Sequence, residues 1–508
     1  MTSPLPQQSV VAVVGAGAMG AGIAQVAAVA GHRVKLLDNR PDVAARAVAG
    51  IQAQLAKMAE RGRLTAADAA AAGKRLTPVH ALADLAGAGL VVEAIVEDLA
   101  EKQALFADLE GIVGRDCLLC SNTSAISLTA IGAALNHPER LAGLHFFNPA
   151  PRMALVEVVS GLATDSAVAQ TLFATAAAWG KTPVHAKSTP GFIVNRVARP
   201  YYAEALRLAQ EGAADCATID AVMREAGGFR MGPFELMDMI GHDVNFVVTH
   251  SVWRAFFHDP RFLPSLLQQE LVDAGLLGRK SGRGFHDYRD GAAPPAAASE
   301  PAQPAPAKIA LFGGSTATDA LAARLAAAGV ACERRAAGDG RVAEADGAAL
   351  YVTDGRSATR RAAESGVADT VLIDLALDYA TAGRIAVAAA EQCRPAALAA
   401  AVGLLQTAGM AVSRFADVPG LTVMRTVAML ANEAADAVNQ GVCSAAAADS
   451  AMCLGVNYPR GPLAWADGIG LPAVRDVLAN LGAAYGEERY RISPLLHQKV
   501  FAGRKFHD

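Results

Sequence analysis

"SVVAVVGAGAMGAGIAQVAAVAGHRVKLLD" (Ser9 to Asp38) decides the fold. Its first part, "VVAVV", is an unbroken apolar run, as expected of a strand covered on both faces. Gly15-Ala16-Gly17-Ala18-Met19-Gly20 follows, and then a helix of small residues. In such a turn Gly15 permits the tight reversal and Gly17 lets backbone approach a pyrophosphate. Gly20 lets the helix pack close to the strand. The free N–H groups of the helix start then meet the phosphates. A second strand, "RVKLLD", ends at Asp38, the spacing at which an acidic residue binds the adenosine ribose. A carboxylate there favours a 2′-hydroxyl and repels a 2′-phosphate, so the cofactor reads as NAD rather than NADP. The competing reading of Asp38 is a plain loop carboxylate.

At 508 residues the chain is long enough for two to four domains. Apolar residues make up 53% and charged ones 19%, a globular rather than disordered balance. A net charge of -4 gives no broad affinity for nucleic acid or acidic membranes. Seven cysteines over this length are no disulfide framework. Cys117 and Cys120 form a CxxC, but with no second pair and no nearby His they read as buried strand positions, not a metal site. "MTSPLPQQSV" lacks the basic and apolar parts of a signal peptide, and no apolar run is long enough to span a membrane. A reducing, cytoplasmic setting is expected.

"AGLVVEAIVEDLAEKQALFADLE" and "DCLLCSNTSAIS" repeat the pattern of buried strand and polar turn. In a doubly wound sheet these turns face the ligand, which places Ala94, Glu97, Asn122 and Ser124 on the cofactor side. Glu97 and Ser124 also suit helix caps. In "LHFFNPAPRMALVEVV" (Leu144 to Val159), Glu157 interrupts an apolar strand and needs a partner. "NPAP" turns the chain, so His145 and Glu157 are expected to meet. Such a dyad is either a general base with its orienting carboxylate or a structural pair holding the turn.

"VVGAGAMGAGIA", "VVEAIVED", "SNTSAIS", "LHFFNPAP", "TPGFIVNR" and "MGPFELMD" occur in this order over roughly residues 8–288. Together they resemble the L-3-hydroxyacyl-CoA dehydrogenase family. The resemblance implies an NAD-binding Rossmann-like domain, then an all-helical domain, with acyl-CoA as substrate between them. It makes His145 the catalytic base and Glu157 its partner. Ser124, Asn195 and Asn148 become contacts of the reacting end of the substrate, and Glu97 and Lys102 cofactor-side residues. Arg61 and Lys57, on the arm after the second strand, either meet CoA phosphates or are solvated surface residues.

"HDVNFVVTHSVWRAFF" and "RFLPSLLQQELV" resemble bacterial members acting on 3-hydroxyadipyl-CoA in aerobic phenylacetate breakdown. That substrate ends in a second carboxylate, which an arginine fork matches. Arg230 is the first candidate and Arg152 the second; each could instead be a surface residue. The alternatives are a 3-hydroxybutyryl-CoA dehydrogenase and, from another class, an NAD-binding sensor without turnover.

Beyond residue 288 the chain reads as a worn second copy. Residues 289–308 are a Pro- and Ala-rich linker. "KIALFGGS" opens a strand and turn without the dinucleotide fingerprint, so no NAD is expected there. "VPGLTVMR" and "YPRGPLAWADGIG" repeat "TPGFIVNR" and "FRMGPFELMDMIG" at a constant offset, with Met424 in place of Asn195. The expected domains are therefore 1–188 (Rossmann, α/β), 189–288 (all-α), the linker 289–308, 309–407 (degenerate Rossmann-like) and 408–508 (second helical domain). Two such units give either a homodimer or an internal pseudo-dimer.

Overall fold

The computed structural model describes residues 3–508; Met1 and Thr2, the first positions of the first predicted domain, lie outside them. The chain forms two compact units. The first runs to Arg196 and takes in Gln440–Val456. The second holds Val197–Asn439 and Asn457–Asp508. Residues 408–508, read from sequence as one domain, therefore contribute to both. Pairing of the helix Ala445–Gly455 with distant strands left no local mark in the sequence.

In the first unit eight strands form one sheet: β1 (Val10–Val14), β2 (Val34–Leu37), β3 (Leu76–Val79), β4 (Ala88–Glu93), β5 (Leu118–Ser121), β6 (Leu141–Phe146), β7 (Leu155–Ser160) and β8 (Thr182–Lys187). Their order is β3-β2-β1-β4-β5-β6-β7-β8. Neighbours from β3 through β6 are parallel, and β7 runs antiparallel to β6. Val11, Val13, Leu36, Leu90 and Val92 are buried in one core with the helix Ala18–Val29. The order reverses direction at β1/β4, and ligands of such sheets bind outside the strand ends at that point. The helix Ala445–Gly455 packs on β7 and β8, where Gly455 lies so close to Leu155 and Val194 that a Cβ would sit 2.8 and 3.0 Å from their side chains.

The second unit holds a seven-stranded mixed sheet and most of the remaining helices. Its strands are β9 (Ile309–Phe312), β10 (Glu333–Arg335), β11 (Ala343–Ala345), β12 (Ala348–Val352), β13 (Thr370–Ile373), β14 (Arg384–Ala389) and β15 (Ala411–Arg414), in the order β10-β9-β11-β12-β13-β14-β15. The helix Cys216–Glu225 packs on β14. The Pro/Ala linker has no helix or strand of its own, yet it is no free tether. Glu300 N–H donates to Val412 O at 2.7 Å, which covers the edge strand β15. Gly403 admits the strap, since a Cβ there would lie 2.2 Å from Pro304 O.

The same backbone exceptions recur in both halves. Gly191 and Phe192 have φ of 73° and 47°; Gly420 and Leu421 have 80° and 51°. A positive φ at Phe or Leu is rare and held only by its surroundings. Beneath each lies a buried carboxylate: Glu157 accepts the N–H groups of Ile193 and Val194, and Asp374 those of Thr422, Val423 and Met424. Burial pushes the Asp374 carboxyl up to about 6.

Candidate active site

The glycine turn has the geometry a dinucleotide requires. Gly15 has φ +97°, and a Cβ there would lie 2.4 Å from Ala94 O. A Cβ on Gly20 would lie 1.8 Å from Gly15 O, so only glycine lets the helix start under the turn. Around Gly17 nothing comes within 4 Å of the Cβ position. Gly17 is also the N-cap of Ala18–Val29, with no side chain bonded to the first N–H groups. Open donors and open space coincide where a pyrophosphate would lie. In the second unit the helix Thr316–Ala327, which follows β9, is capped by Ser315, whose side chain accepts from Thr318 N–H. That turn has filled its own donor site.

The contrast gives an expected result. Gly17→Val should fold with an unaltered melting temperature yet weaken NAD binding by about tenfold or more, measured by calorimetry. Gly20→Val should instead lower the melting temperature. Equal NAD affinity in Gly17→Val would exclude the turn as the pyrophosphate site.

A cleft of about 860 Å³ opens beside the turn, lined by Gly15, Gly17, Asp38, Ala94 and residues of β2 and the helix Leu99–Ile112. Asp38 Oδ2 accepts Ala16 N–H at 2.9 Å, and Arg40 Nε donates to Oδ1 at 2.9 Å. Arg40 holds the Asp38 carboxyl down at about 2. Asp38 is thus ionised at neutral pH and fixed against the turn, as recognition of a ribose hydroxyl requires. Arg40 is a part of this arrangement that the sequence reading missed.

The Glu97 loop is tied from below. Glu97 Oε1 accepts Thr123 Oγ1–H at 2.6 Å and the N–H of Ser124 at 2.9 Å. Burial pushes its carboxyl up, but Thr123 and Lys102 outweigh that and hold it below its ordinary value. Lys102 is buried, with Nζ 2.6 Å from Glu93 Oε1 and 3.3 Å from Glu97 Oε2. It therefore lies beneath the loop rather than on its cofactor-facing surface, because its charge is compensated inside. Glu93 also accepts from Ser121 Oγ at 2.6 Å and Ile95 N–H at 2.7 Å. Glu93, Ser121 and Thr123 were not singled out from sequence. The signal was present in Glu93, a carboxylate ending the apolar strand "LVVE". Helix capping after "SNTS" falls to Ser127, which caps Leu128–Gly132, and not to Ser124.

His145 and Glu157 are cross-strand partners on β6 and β7. Nδ1 of His145 lies 2.6 Å from Glu157 Oε2, and both residues are buried. The carboxylate orients the ring as the Nδ1–H tautomer, leaving Nε2 as an acceptor. Oε1 of Glu157 is held by Ile193 and Val194 N–H, each at 3.0 Å. Phe147 and Phe192 flank the imidazole, with ring centroids at 4.5 and 5.8 Å. Asn122 Oδ1 accepts Phe146 N–H at 2.9 Å and anchors the strand beside the histidine. Asn195 Nδ2 lies 3.4 Å from Ser124 O, which joins the "SNTS" turn to the segment carrying Asn195. A base fixed in this orientation suits abstraction of a hydroxyl proton.

Asn148 and Arg152 are exposed on the turn after β6. Lys57 and Arg61 are exposed at the end of the helix Val43–Glu60. Arg230 is exposed on the turn before the helix Pro233–Ile240 of the second unit. Burial pushes the Cys117 thiol up to about 12, as befits a strand position. Among the described residues no group of three or more His, Cys, Asp or Glu could hold a metal ion, and no helix is long and apolar enough to cross a membrane.

Comparison with known proteins places these features in context. Residues 10–189 match the family model for the "3-hydroxyacyl-CoA dehydrogenase, NAD binding domain". Residues 191–288 and 420–506 match "3-hydroxyacyl-CoA dehydrogenase, C-terminal domain". Residues 350–419 match "3-hydroxybutyryl-CoA dehydrogenase reduced Rossmann-fold domain". The chain is 46% identical over 491 residues to the 3-hydroxyadipyl-CoA dehydrogenase of Escherichia coli K12, covering 96% of this chain and 97% of that one. A probable 3-hydroxybutyryl-CoA dehydrogenase of Bacillus subtilis is 40% identical, covering 55% of this chain and 96% of its own. A crystal structure described as 3-hydroxybutyryl-CoA dehydrogenase from Escherichia coli K12 superposes with a TM-score of 0.89 at 46% identity, covering 98% of this chain and 99% of that one.

Proposed function

The chain belongs to the 3-hydroxyacyl-CoA dehydrogenase family, and from that premise we propose that it oxidises (S)-3-hydroxyadipyl-CoA to 3-oxoadipyl-CoA, with His145 as general base. The 2.6 Å pairing of His145 with Glu157 carries this reading. Nε2 of His145 takes the C3 hydroxyl proton, and Glu157 stabilises the imidazolium that forms. NAD, when bound, supplies the chemistry of accepting the hydride released from C3. Gly17 and the open helix start hold the pyrophosphate, and Asp38 holds the ribose. Ser124, Asn195 and Asn148 orient the substrate oxygen; Glu93 and Lys102 act as positioning residues through Glu97. Arg61 and Lys57 are candidates for the CoA phosphates. The setting we propose is the cytoplasm.

The adipyl chain is favoured over butyryl because the relative so named matches over nearly the whole chain. The Escherichia coli structure of equal identity carries the butyryl name, so the acyl chain needs a direct test. NADH formation should show a higher kcat/KM for 3-hydroxyadipyl-CoA than for 3-hydroxybutyryl-CoA. The reverse order would select the butyryl reading, and NAD binding without turnover would select a sensor. Arg230→Ala should lower kcat/KM for the adipyl substrate more than for the butyryl one; equal losses would remove Arg230 from recognition.

We read residues 309–508 as a degenerate copy of the first 288, forming an internal pseudo-dimer with no NAD site of its own. Recurrent φ values at Phe192 and Leu421 support this, as does the capped turn at Ser315. The copy lends the helix Ala445–Gly455 to the first unit. A chain ending at residue 290 should melt about 10 °C lower than the full chain, since it uncovers Leu155 and Val194. A fragment as stable as the full chain would contradict the dependence.

A further inference from the structure

The two copies exchange one segment reciprocally. Within the first unit, Lys187 N–H, at the end of the edge strand β8, donates to Val442 O at 2.9 Å, and Arg196 Nη1 donates to Gln440 Oε1 at 2.9 Å. Within the second unit, Ala416 N–H donates to Ala213 O at 2.9 Å, and Arg425 Nη1 donates to Glu211 Oε2 at 3.4 Å. These are the same two bonds. The offset that turns Gly232 into Gly461 turns Lys187, Arg196, Glu211 and Ala213 into Ala416, Arg425, Gln440 and Val442. The helices that follow correspond as well. Ala445–Gly455, capped by Ser444, packs on β7 and β8; Cys216–Glu225, capped by Asp215, packs on β14, the counterpart of β7.

Only one of the two exchanges meets a dyad. On β7, Leu155 and Glu157 point to one face, and Val156 and Val158 to the other. Val156 and Val158 share a core with Leu172 of the helix Ser166–Ala178. The helix Ala445–Gly455 covers the face that carries Glu157: a Cβ on Gly455 would lie 2.8 Å from Leu155 Cδ2, 3.0 Å from Val194 Cγ2 and 3.7 Å from Phe147 Cε1. Val194 N–H holds Glu157 Oε1, and Phe147 flanks the His145 ring. Burial, and then the charge of Glu157, push the Cys443 thiol up to about 12, so the segment lies within electrostatic reach of the dyad. In the copy, Ala386 stands in place of Glu157, and Ala226 in place of Gly455. Gly455 has no positive φ, so only its neighbours bar a methyl group there. Glycine stands where the helix rests on the support of a dyad, and alanine where there is none.

We propose that the segment Gln440–Gly455 of the degenerate copy positions the His145–Glu157 dyad. Gly455 acts through Val194 and Phe147, and Gln440 through Arg196, the neighbour of Asn195. Both are positioning residues. The proposal rests on the reading of His145 as general base, and it goes beyond the lower melting temperature expected of the shortened chain: the degenerate copy sets the rate of the intact one.

The test uses the full-length protein. Gly455→Ala should lower kcat about tenfold, with KM for the acyl-CoA and affinity for NAD within about twofold of the natural values, as for a displaced reacting group. Gln440→Ala should lower kcat about threefold on the same ground, and Gln440→Glu, which keeps an acceptor as Glu211 does, should restore most of it. Leu172→Ala, buried on the other face of β7, should lower the melting temperature at least as far while kcat holds. A second readout needs no turnover. The Nδ1 proton of His145, moved downfield in the NMR spectrum by its bond to Glu157, should shift in Gly455→Ala and stay in place in Leu172→Ala. Should Gly455→Ala fail to fold, the two Gln440 variants carry the comparison. An unchanged kcat in both Gly455→Ala and Gln440→Ala, a loss confined to KM, or an equal loss of kcat in Leu172→Ala would overturn the proposal. If His145→Gln keeps its rate, the base reading fails by itself and the proton resonance decides: unmoved in Gly455→Ala, it overturns the positioning role too.

Discussion

His145→Gln should lose about 10³-fold in kcat, within the range for removal of a general base. KM for the acyl-CoA should change little, because the imidazole acts on the proton rather than on ground-state binding. Glutamine keeps much of the volume between Phe147 and Phe192, so the fold should survive. The measurement is steady-state NADH formation beside calorimetric binding of NAD, which should be retained. A variant that keeps its rate would show that the histidine merely pairs with Glu157.

Glu157→Gln separates tautomer control from architecture. The carboxylate does two things at once: Oε2 orients His145, and Oε1 accepts Ile193 and Val194 N–H. In the amide, the oxygen can still take both backbone donors. The NH₂ then faces Nδ1, and the imidazole proton moves to Nε2, the atom that must accept. In a serine protease the corresponding aspartate-to-asparagine change costs about 10⁴ in kcat with geometry intact. A loss of about 10³–10⁴ is expected here, with urea stability near that of the natural protein. Glu157→Ala should in addition cost about 3 kcal/mol or more of stability, since two buried N–H groups lose their acceptor. If Glu157→Gln loses stability but keeps kcat, the carboxylate is a structural clamp only.

The glycine turn was legible in sequence because its constraints are local. Gly15 and Gly20 answer to the strand end at Ala94 and to a neighbour within the turn, and Gly17 leaves open space beside the helix start. The dyad was legible for a related reason: a lone carboxylate on an apolar strand demands a partner, and the "NPAP" turn allowed few. Interactions set by tertiary placement could not be read this way. Lys102 came into view only through the resemblance, as a cofactor-side residue, because its buried partner Glu93 lies on another element. Arg40 follows a strand end like any loop arginine, and only the position of Asp38 gives it a role. Arg199 sits in "VNRVARPYY", where nothing local reveals that it is buried against Thr249 and Tyr202 without a carboxylate. Arg230 and Arg152 drew attention as arginines in acyl-side segments, and both are exposed.

The central claim is that hydride leaves C3 of a 3-hydroxyacyl-CoA while His145 removes the hydroxyl proton. Turnover of 3-hydroxyadipyl-CoA deuterated at C3, followed by mass analysis of the reduced nicotinamide, tests it directly. The natural protein should deliver the deuterium to NAD, and Glu157→Gln should slow that transfer at unchanged NAD affinity. Reduced cofactor containing only protium, or no reduced cofactor at all, would contradict it.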